Sequence, residues 1–551
     1  MSDPVFIGAI DQGTSSSRFL VFSAQTGEVV CKSQRQLSVI CPKDGWVEMN
    51  PTDIINSVRY CIDDGISQFE QLGFKTKQIK AVGITNQRET TIAWNARTGK
   101  ALYNAIVWQD TRTTSIVDDA LQRTKSRSKD EFRRRTGLPI HPYFSALKMK
   151  WLLDNVEEVK HAYASGNLKM GTVDSWLIWN LTGLHATDVT NASRTLLMDL
   201  KRLEWDNDLS DFFGVPISVL PQIRGSSDFY KRIAEGPLRN IAICGCLGDQ
   251  QAALVGQRCF EPGQVKNTYG TGCFVLCNTG NRPVHSQFGL LTTVAYQFGN
   301  DKSTVVYAQE GSGATAGAVL NWLVENMNLL ETTADSEKIA NSVPDCHGTY
   351  FVPAFSGLYA PYWRPDARGI ICGLSQHTKK GHIVRAALEA VCFQTAEIIE
   401  AMQNDNQCPV TVLQADGGMS SNELLMQLQS DIAGVPVVRS SCVEATAFGA
   451  AIAAAISIEV WDLKKVQTFQ SGLQREYSSQ ITPEMRQMKM TVWKNCVQRC
   501  LNWTTLFSQD TGQTTAFQTF WNRNKTYIGP AIAGLSFGII GTCIVARFAK
   551  Y

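Results

Sequence analysis

The chain has 551 residues, which at roughly 100–200 residues per domain predicts two large domains or more. Its 52 Lys and Arg residues against 50 Asp and Glu residues leave a net charge of +2, without the basic excess that nucleic-acid binding needs. The 16 cysteines are scattered and form no CxxC pair, which favours reduced thiols. The first residues match neither a secretory signal nor a transit peptide, so we expect the bulk of the chain to face the cytosol.

Two β-favouring runs at residues 5–10 and 18–22 are separated by a polar, glycine-containing segment. This order predicts a strand, a turn and a second strand. A unit of the same kind occurs at residues 265–278, where Gly-Thr-Gly at 270–272 separates two strand-like runs. The two units start about half a chain apart, which predicts two halves of similar construction.

Helical patterns alternate with these strands, and the alternation predicts α/β layers. A turn sequence, Glu-Pro-Gly at 261–263, indicates the boundary between the halves. The predicted helices cover residues 252–257, 383–402, 422–432, 445–455 and 485–501. The predicted organisation is an amino-terminal domain at 1–260, a carboxy-terminal domain at 261–505, a polar linker at 506–526 and a hydrophobic tail at 527–546.

The tail, residues 527–546, runs for twenty residues without a charge. As a helix it would span roughly 30 Å, the thickness of one hydrocarbon core. Basic residues flank it on both sides, and Gly534 and Gly538 form a GxxxG face suited to helix packing in lipid. We therefore predict a C-terminal membrane anchor; a buried or amphipathic helix is the alternative.

Residues 11–18 place a carboxylate, a flexible turn, several hydroxyls and a cation close together. This set suits a Mg²⁺-bound polyphosphate, although a simple polar hairpin turn is the alternative. The Gly-Thr-Gly turn at 270–272 offers a second pair of flexible amides, so two hairpins could hold one phosphate chain from opposite sides. A third turn at 416–422, Asp-Gly-Gly-Met-Ser-Ser-Asn, allows close approach of a ribose or a flat ring. No P-loop sequence is present.

Asp249 follows Cys-Leu-Gly at 246–248 and precedes the predicted helix at 252–257. A carboxylate placed at a helix start can accept the proton of a substrate hydroxyl during phosphoryl transfer. The alternative is a helix N-cap, which would make Asp249 structural. The sequence thus offers a site for a second substrate beside the phosphate turns.

The three turns together resemble the actin-like ATPase fold, and longer segments resemble the FGGY carbohydrate kinase family. Within that family they are most similar to members that phosphorylate glycerol, over about residues 5–505. The segments that carry the resemblance are 86–91, 103–110, 143–151, 267–274 and 351–373. The resemblance implies two α/β actin-like (ribonuclease H-like) domains flanking a catalytic cleft. It also implies that ATP and glycerol give ADP and sn-glycerol 3-phosphate, a precursor for glycolysis, gluconeogenesis and glycerolipid synthesis.

The resemblance also assigns roles to individual positions. Asp249 would be the catalytic base, and Asp11 and Asp249 would lie near Mg²⁺. The implied glycerol contacts are Arg88, Glu89, Trp108, Tyr143, Asp249, Gln250 and Phe274. The implied ATP contacts are Thr14, Ser15, Ser16, Arg18, Thr271, Gly317, Asn321, Gly418 and Asn422. Asn321 departs from the longer amide common in the family, and the small residues at 311–317 predict looser helix packing there.

Two other functions remain open from the sequence. One is a kinase of the same family for another polyol or a ketose; the other is a catalytically silent scaffold docked on a membrane. The resemblance implies a dimer or tetramer. The tail is similar to tail anchors of the mitochondrial outer membrane, where the resemblance implies association with porin; the endoplasmic reticulum is the alternative membrane. The active part would face the cytosol. The stretch 231–240 lacks the glycine-rich basic loop of relatives that fructose 1,6-bisphosphate inhibits, so we expect no such inhibition.

Overall fold

A computed structural model of the chain describes residues 3–406, 409–439, 444–469 and 475–503. The predicted linker at 506–526 and hydrophobic tail at 527–546 lie outside these residues. Within the described ranges, no helix combines the length and apolar character needed to cross a membrane.

Strands in the described ranges form two large sheets and four smaller ones. In chain order, they are β1 (Phe6–Gln12), β2 (Ser16–Ser23), β3 (Val29–Gln36), β4 (Glu48–Met49), β5 (Ile79–Asn86), β6 (Thr91–Asn95), β7 (Ala105–Ile106), β8 (Leu168–Thr172), β9 (Ala186–Asp188), β10 (Met198–Asp199), β11 (Glu204–Trp205), β12 (Gln222–Arg224), β13 (Ser227–Arg232), β14 (Ala242–Gly248), β15 (Val265–Tyr269), β16 (Cys273–Gly280), β17 (Leu291–Gln297), β18 (Val305–Gly313), β19 (Tyr350–Val352), β20 (Ile370–Cys372), β21 (Leu413–Asp416), β22 (Val437–Arg439) and β23 (Arg475–Tyr477).

Helices cover the sheets and connect their strands. In chain order, the α-helices are α1 (Pro51–Gln71), α2 (Thr114–Arg123), α3 (Arg133–Thr136), α4 (Ser145–Asn155), α5 (Glu157–Ala164), α6 (Val173–Thr182), α7 (Val189–Ala192), α8 (Asn207–Phe213), α9 (Asp249–Gly256), α10 (Gly317–Glu325), α11 (Ser336–Ala340), α12 (Lys380–Asn406), α13 (Glu423–Ala433), α14 (Ala445–Ser457), α15 (Leu463–Thr468) and α16 (Pro483–Arg499). Short 3₁₀ turns occur at Thr76–Gln78, Ile217–Val219, Lys302–Thr304, Thr333–Asp335 and Gly418–Ser421.

The two large sheets have the same core order. The first runs β13-β14-β5-β1-β2-β3, and the second runs β17-β18-β16-β15-β21-β22-β23. In each, three antiparallel strands (β1 to β3, or β15, β16 and β18) are extended by two parallel strands next to the first of them. This is the arrangement of the ribonuclease H-like fold, so the predicted α/β class and the two similar halves are confirmed.

Equivalent hairpins in the two sheets carry the predicted phosphate turns. Asp11 on β1 pairs with Arg18 on β2, and the Gly13 amide donates to the Ser16 carbonyl over 2.9 Å inside the turn. In the second sheet, the Gly270 amide donates to the Gly272 carbonyl over 2.9 Å between β15 and β16. Because each turn follows the first strand of its sheet, the duplicated fold gives both turns equivalent positions.

Helix α14 belongs to the second half of the sequence but packs on the first sheet and on α9. Glycines allow this close approach. A Cβ added at Gly83 on β5 would lie 2.0 Å from the Ala450 carbonyl oxygen, and one at Gly449 would lie 1.9 Å from the Ala252 carbonyl oxygen. Since α9 begins at Asp249, the fit between α9 and α14 fixes the position of that carboxylate.

The prediction of loose packing at 311–317 is wrong. Residues 311–313 end strand β18, and Gly317 starts α10. A Cβ at Gly311 would lie 2.4 Å from the Ile398 side chain, and one at Gly317 would lie 2.7 Å from the Gly270 carbonyl oxygen. The small residues therefore permit close packing against α12 and the second phosphate turn.

Gly449→Ala should separate α9 from α14, because the new methyl group overlaps the Ala252 carbonyl. We expect the free energy of unfolding to fall by roughly 1–3 kcal/mol, the usual cost of overpacking. Urea denaturation followed by circular dichroism measures it. Thr446→Ala, a half-buried position on the same helix, is the control and should change stability little. Equal stability of Gly449→Ala and the wild type would contradict the packing described here.

Candidate active site

A cavity of about 180 Å³ lies where the first phosphate turn, the end of β5, the start of α9 and the second phosphate turn meet. We call it the small cavity. All seven residues with an implied glycerol contact line it. Its lining consists of Thr14, Ser15, Arg88, Glu89, Trp108, Tyr143, Asp249, Gln250, Thr271, Gly272 and Phe274.

A chain of ion pairs forms one side of the small cavity and links five side chains. Arg88 donates from both terminal nitrogens to Glu310, over 2.6 and 2.9 Å, and its Nε lies 3.2 Å from Asp249 Oδ1. Arg194 donates to the same Glu310 over 3.1 Å and to Glu89 over 2.6 Å. The order is therefore Asp249, Arg88, Glu310, Arg194, Glu89, which we call the buried ion-pair chain.

Arg88 and Glu89, although adjacent in the sequence, do not form a surface ion pair with each other. Both side chains are about 2% exposed, and each has a different partner, Glu310 for Arg88 and Arg194 for Glu89. The backbone of Glu89 has φ of +56°, a left-handed conformation that is costly for a residue with a side chain. Such strain at a cavity wall is typical of functional sites.

Electrostatics keep the ion-pair chain charged. Burial alone would raise the pKa of Glu310, but the Arg194 and Arg88 guanidiniums hold it at about 2. The Glu310 and Glu89 carboxylates likewise raise the pKa of Arg88 above its ordinary value in spite of burial. For Asp249, burial raises the pKa to about 6, and the Arg88 charge offsets only part of that effect. Asp249 is thus a stronger base than an ordinary aspartate.

Asp249 is not the N-cap of its helix. Gly248 occupies that position, and Asp249 is the first residue of α9. Its Oδ1 accepts a hydrogen bond from the Gln250 amide over 2.8 Å and faces Arg88. Its Oδ2 has no protein partner among the described residues, and the side chain is 29% exposed. One carboxylate oxygen is therefore held and the other is available.

Aromatic rings form the opposite, apolar wall. The Trp108 ring stands edge-on to Tyr143 and Phe274, with centroid separations of 5.8 and 5.9 Å. Trp108 Nε1 donates to Thr14 Oγ1 over 3.0 Å, which ties the wall to the first phosphate turn. The buried Lys148 donates to the Tyr143 carbonyl over 2.5 Å and so fixes the segment that carries that ring.

A second cavity, of about 510 Å³, adjoins the second phosphate turn, and we call it the large cavity. Five of the residues with an implied ATP contact line it: Thr271, Gly317, Asn321, Gly418 and Asn422. Asn422 Oδ1 caps α13, and its Nδ2 donates to Ser336 Oγ over 3.3 Å. Thr271 lines both cavities, so this one residue forms their common wall.

Other residues with an implied ATP contact lie elsewhere. Thr14 and Ser15 line the small cavity, whereas Ser16 and Arg18 line neither cavity. Ser16 is buried in β2. Arg18 pairs with Asp11 over 3.1 Å and approaches Glu444 within 3.9 Å, so its charge is already compensated in this structure.

The two acidic residues assigned to Mg²⁺ fit such an ion chemically. Asp11 uses Oδ2 for Arg18, and its Oδ1 has no partner within the described ranges. Burial raises the pKa of both Asp11 and Asp249, a destabilisation of the carboxylates that a nearby cation would relieve. Mg²⁺ commonly binds through one or two carboxylates together with substrate phosphates and water, so either carboxylate could contribute to such a site.

Several residues of the site escaped the sequence analysis. Glu310, Arg194 and Lys266 are fully buried and contact residues of the small cavity. Their only sequence signal is a charged residue inside an otherwise strand-like or apolar run. At the large cavity, Thr333, Ser336 and Glu337 were also missed, because they come from a loop and a short helix without a recognisable motif.

Comparisons with known proteins place the chain in a family. Residues 6–256 match the N-terminal domain and residues 265–458 the C-terminal domain of the FGGY family of carbohydrate kinases. A probable glycerol kinase of Caenorhabditis elegans is 52% identical over 501 residues, which cover 91% of this chain and 99% of that protein. A probable glycerol kinase of Dictyostelium discoideum is 49% identical and covers 90% of this chain and 98% of its own length.

Among solved structures, the glycerol kinase of Plasmodium falciparum with ADP superposes with a TM-score of 0.82 at 38% identity. The match covers 90% of this chain and 98% of that one. A gluconate kinase from Lactobacillus acidophilus, at 23% identity and a TM-score of 0.77, shares the fold. The duplicated fold, the paired cavities and these matches lead to one conclusion: the chain belongs to the FGGY family of carbohydrate kinases.

Proposed function

We propose that this protein is a glycerol kinase, which transfers the γ-phosphoryl group of ATP to glycerol and releases ADP and sn-glycerol 3-phosphate. One observation carries the proposal. The large cavity, suited to a nucleotide, and the small cavity, lined by charged and amide groups, share Thr271 as a common wall. A nucleotide whose phosphates cross Thr271 would present its terminal phosphate to a substrate beside Asp249.

The small cavity suits a compact polyol. Arg88, Glu89, Asp249 and Gln250 offer donors and acceptors for hydroxyl groups, while Trp108 and Phe274 offer an apolar surface for the carbon atoms. A substrate that lacks a hydroxyl would leave one of these polar groups unpaired. Such a mismatch can lower specificity for the analogue by up to about 10⁴-fold.

Asp249 is the proposed base. Its Oδ1 is held by Arg88 and the Gln250 amide, and its Oδ2 is free to accept the proton of a glycerol hydroxyl as the phosphoryl group moves. In a loose transition state this proton moves late, so orientation contributes more than basicity. The buried ion-pair chain supplies that orientation, because Arg88 is itself fixed by Glu310.

Phosphoryl transfer also requires that the negative charge on the moving phosphoryl group be stabilised. This charge can be stabilised by the amides of the two phosphate turns and by the hydroxyls of Thr14 and Thr271. Asp11 and Asp249 are the residues of this chain that would hold Mg²⁺, and the bound ion would supply neutralisation of the phosphate charge. Closure of the two domains over the substrates would exclude water and prevent hydrolysis of ATP.

A family kinase with another substrate is the nearest alternative. Solved gluconate and xylulose kinases share the fold at 23% identity or less, a likeness that carries no substrate information. The narrow small cavity and its aromatic wall favour a three-carbon polyol over a longer sugar. For a catalytically silent scaffold we would expect loss of Asp11, Thr14, Arg88 or Asp249, and all four are present.

Asp249→Asn removes the proposed base and keeps the size of the side chain. In the full-length chain, we expect ATP-dependent phosphorylation of glycerol to fall by at least roughly 10²-fold, the scale of general-base catalysis. A coupled assay of ADP release with glycerol and MgATP measures it. Asp154→Asn, at an exposed ion pair with Lys150, is the matched control and should retain activity. An active Asp249→Asn variant would exclude this base.

The pKa of Asp249 predicts a pH dependence. The folded protein holds this pKa at about 6, above the ordinary aspartate value of 3.8, and only the ionised form can accept a proton. Activity should therefore be highest well above pH 6, be about half of that near pH 6 and decline further as pH falls. The measurement is kcat/KM for glycerol between mildly acidic and neutral pH at saturating MgATP. A profile that stays flat to well below pH 6 would contradict the assignment.

Residues 527–546 are proposed to anchor the protein in the mitochondrial outer membrane with the kinase domains in the cytosol, where porin could be a partner. The support is sequence alone: twenty uncharged residues with basic flanks. A fluorescent reporter fused to residues 505–551 should colocalise with mitochondria in imaging. A diffuse signal would exclude the anchor, and a reticular signal would point to the endoplasmic reticulum. For the oligomeric state, we predict a dimer or a tetramer.

A further inference from the structure

Lys266 is a fully buried lysine that lies outside the small cavity. Its ammonium group contacts Gln250, which lines that cavity. It lies on β15, in the second sheet, and its side chain extends to α9. Its Nζ donates to Gln250 Oε1 over 2.5 Å and to Thr268 Oγ1 over 2.9 Å. Burying an ammonium group is costly unless its donors are used, so a lysine kept here requires an explanation.

We propose that Lys266 is a positioning residue that fixes the orientation of the Gln250 carboxamide, so that Gln250 presents its NH₂ group as a donor to a hydroxyl of the polyol. The inference deepens the proposed function and rests on it. It assigns a role to a side chain that does not line the small cavity.

The ammonium group of Lys266 determines which end of the Gln250 carboxamide faces it. A protonated lysine has three donors and no acceptor, so the amide atom that faces it must be the oxygen. The nitrogen of the same carboxamide then points away from Lys266. Gln250 lines the small cavity, and its Nε2 has no acceptor among the residues that the structure describes. The NH₂ group is therefore available to the contents of the cavity.

Lys266 is protonated at neutral pH, although its pKa is lowered. Burial and the nearby Arg88 charge lower its pKa to about 8, and the Asp416, Glu310 and Asp249 carboxylates oppose a larger decrease. The ammonium form consequently predominates at neutral pH. A neutral amide neighbour in place of Lys266 could bond to either end of the Gln250 carboxamide, whereas the ammonium group selects one end only.

The orientation of the Gln250 carboxamide determines how a substrate hydroxyl can bind. Asp249 is an acceptor and the adjacent Gln250 becomes a donor, so a hydroxyl between them can accept from Gln250 and donate to Asp249. One lone pair and the proton of that hydroxyl are then directed by the protein. Lys266 thus contributes to recognition of a hydroxyl without contacting it.

The experiment measures glycerol affinity of the full-length chain by isothermal titration calorimetry, with a non-hydrolysable ATP analogue as second probe. Lys266→Met keeps an unbranched chain but removes the donors. We expect the Kd and KM for glycerol to rise about 10-fold, the loss of one oriented hydrogen bond. The Kd for the ATP analogue should stay within about twofold. Lys302→Met, the same substitution at an exposed lysine that pairs with Glu204, is the matched control and should bind glycerol like the wild type.

A double-mutant cycle separates positioning from a general structural effect. Gln250→Ala should weaken glycerol binding by itself, and adding Lys266→Met should cause little further loss, because the oriented group is already absent. Additive effects, or wild-type glycerol affinity in Lys266→Met, would overturn the inference while leaving the proposed function intact. A wild type that neither binds nor phosphorylates glycerol would overturn both.

A second variant covers the case that Lys266→Met fails to fold. In Gln250→Glu, Lys266 would hold one carboxylate oxygen, and the other oxygen would replace the donor in the cavity. We expect a similar loss of glycerol affinity, about 10-fold. Glycerol binding equal to the wild type in this variant would show that no donor is needed there.

Discussion

The structure of the candidate site depends on one buried carboxylate, Glu310, held between two guanidinium groups. Arg88 follows a strand of the first sheet, whereas Glu310 lies on β18 of the second, so their bidentate pair joins the two halves of the molecule. Removing one partner of such a pair leaves an uncompensated buried charge, at a cost of roughly 3–5 kcal/mol. The same pair sets the direction of Arg88 and, through it, one oxygen of Asp249.

Close packing at small residues, together with the ion pairs, fixes the position of α9. Gly449 allows α14 to approach α9, so the helix that starts at Asp249 is fixed along its length and not only at its first turn. The second phosphate turn reaches the same point from the other sheet, with Thr271 between the two cavities. Duplication of one fold therefore brings a nucleotide cavity and a polyol cavity together.

Local signals in the sequence predicted a large part of this arrangement. The predicted helices at 383–402 and 422–432 correspond to Lys380–Asn406 and Glu423–Ala433, because apolar periodicity and capping residues act over a few turns. The phosphate turns were predictable for the same reason, since glycine and hydroxyl residues lie between strand patterns. The positions taken from the family resemblance line one or other of the two cavities, with Asp11, Ser16 and Arg18 as exceptions.

Interactions between distant parts of the chain were not predictable. Glu89 and Arg194 are 105 residues apart, and Arg88 and Glu310 are 222 apart, so no local pattern joins them. Arg18 appeared free for a phosphate because its approach to Glu444 depends on tertiary structure. Lys266 was read as part of a strand, and its contact with Gln250 becomes visible only when β15 and α9 are placed side by side.

We propose that the buried ion-pair chain and the aromatic wall enclose a glycerol site next to a nucleotide site. A crystal structure of the full-length chain with glycerol and a non-hydrolysable ATP analogue would test this assignment. We expect glycerol in the small cavity, hydrogen-bonded to Arg88, Asp249 and Gln250, with one terminal hydroxyl facing the γ-phosphate group across Thr271. Glycerol bound elsewhere, or nucleotide phosphates directed away from Asp249, would contradict it.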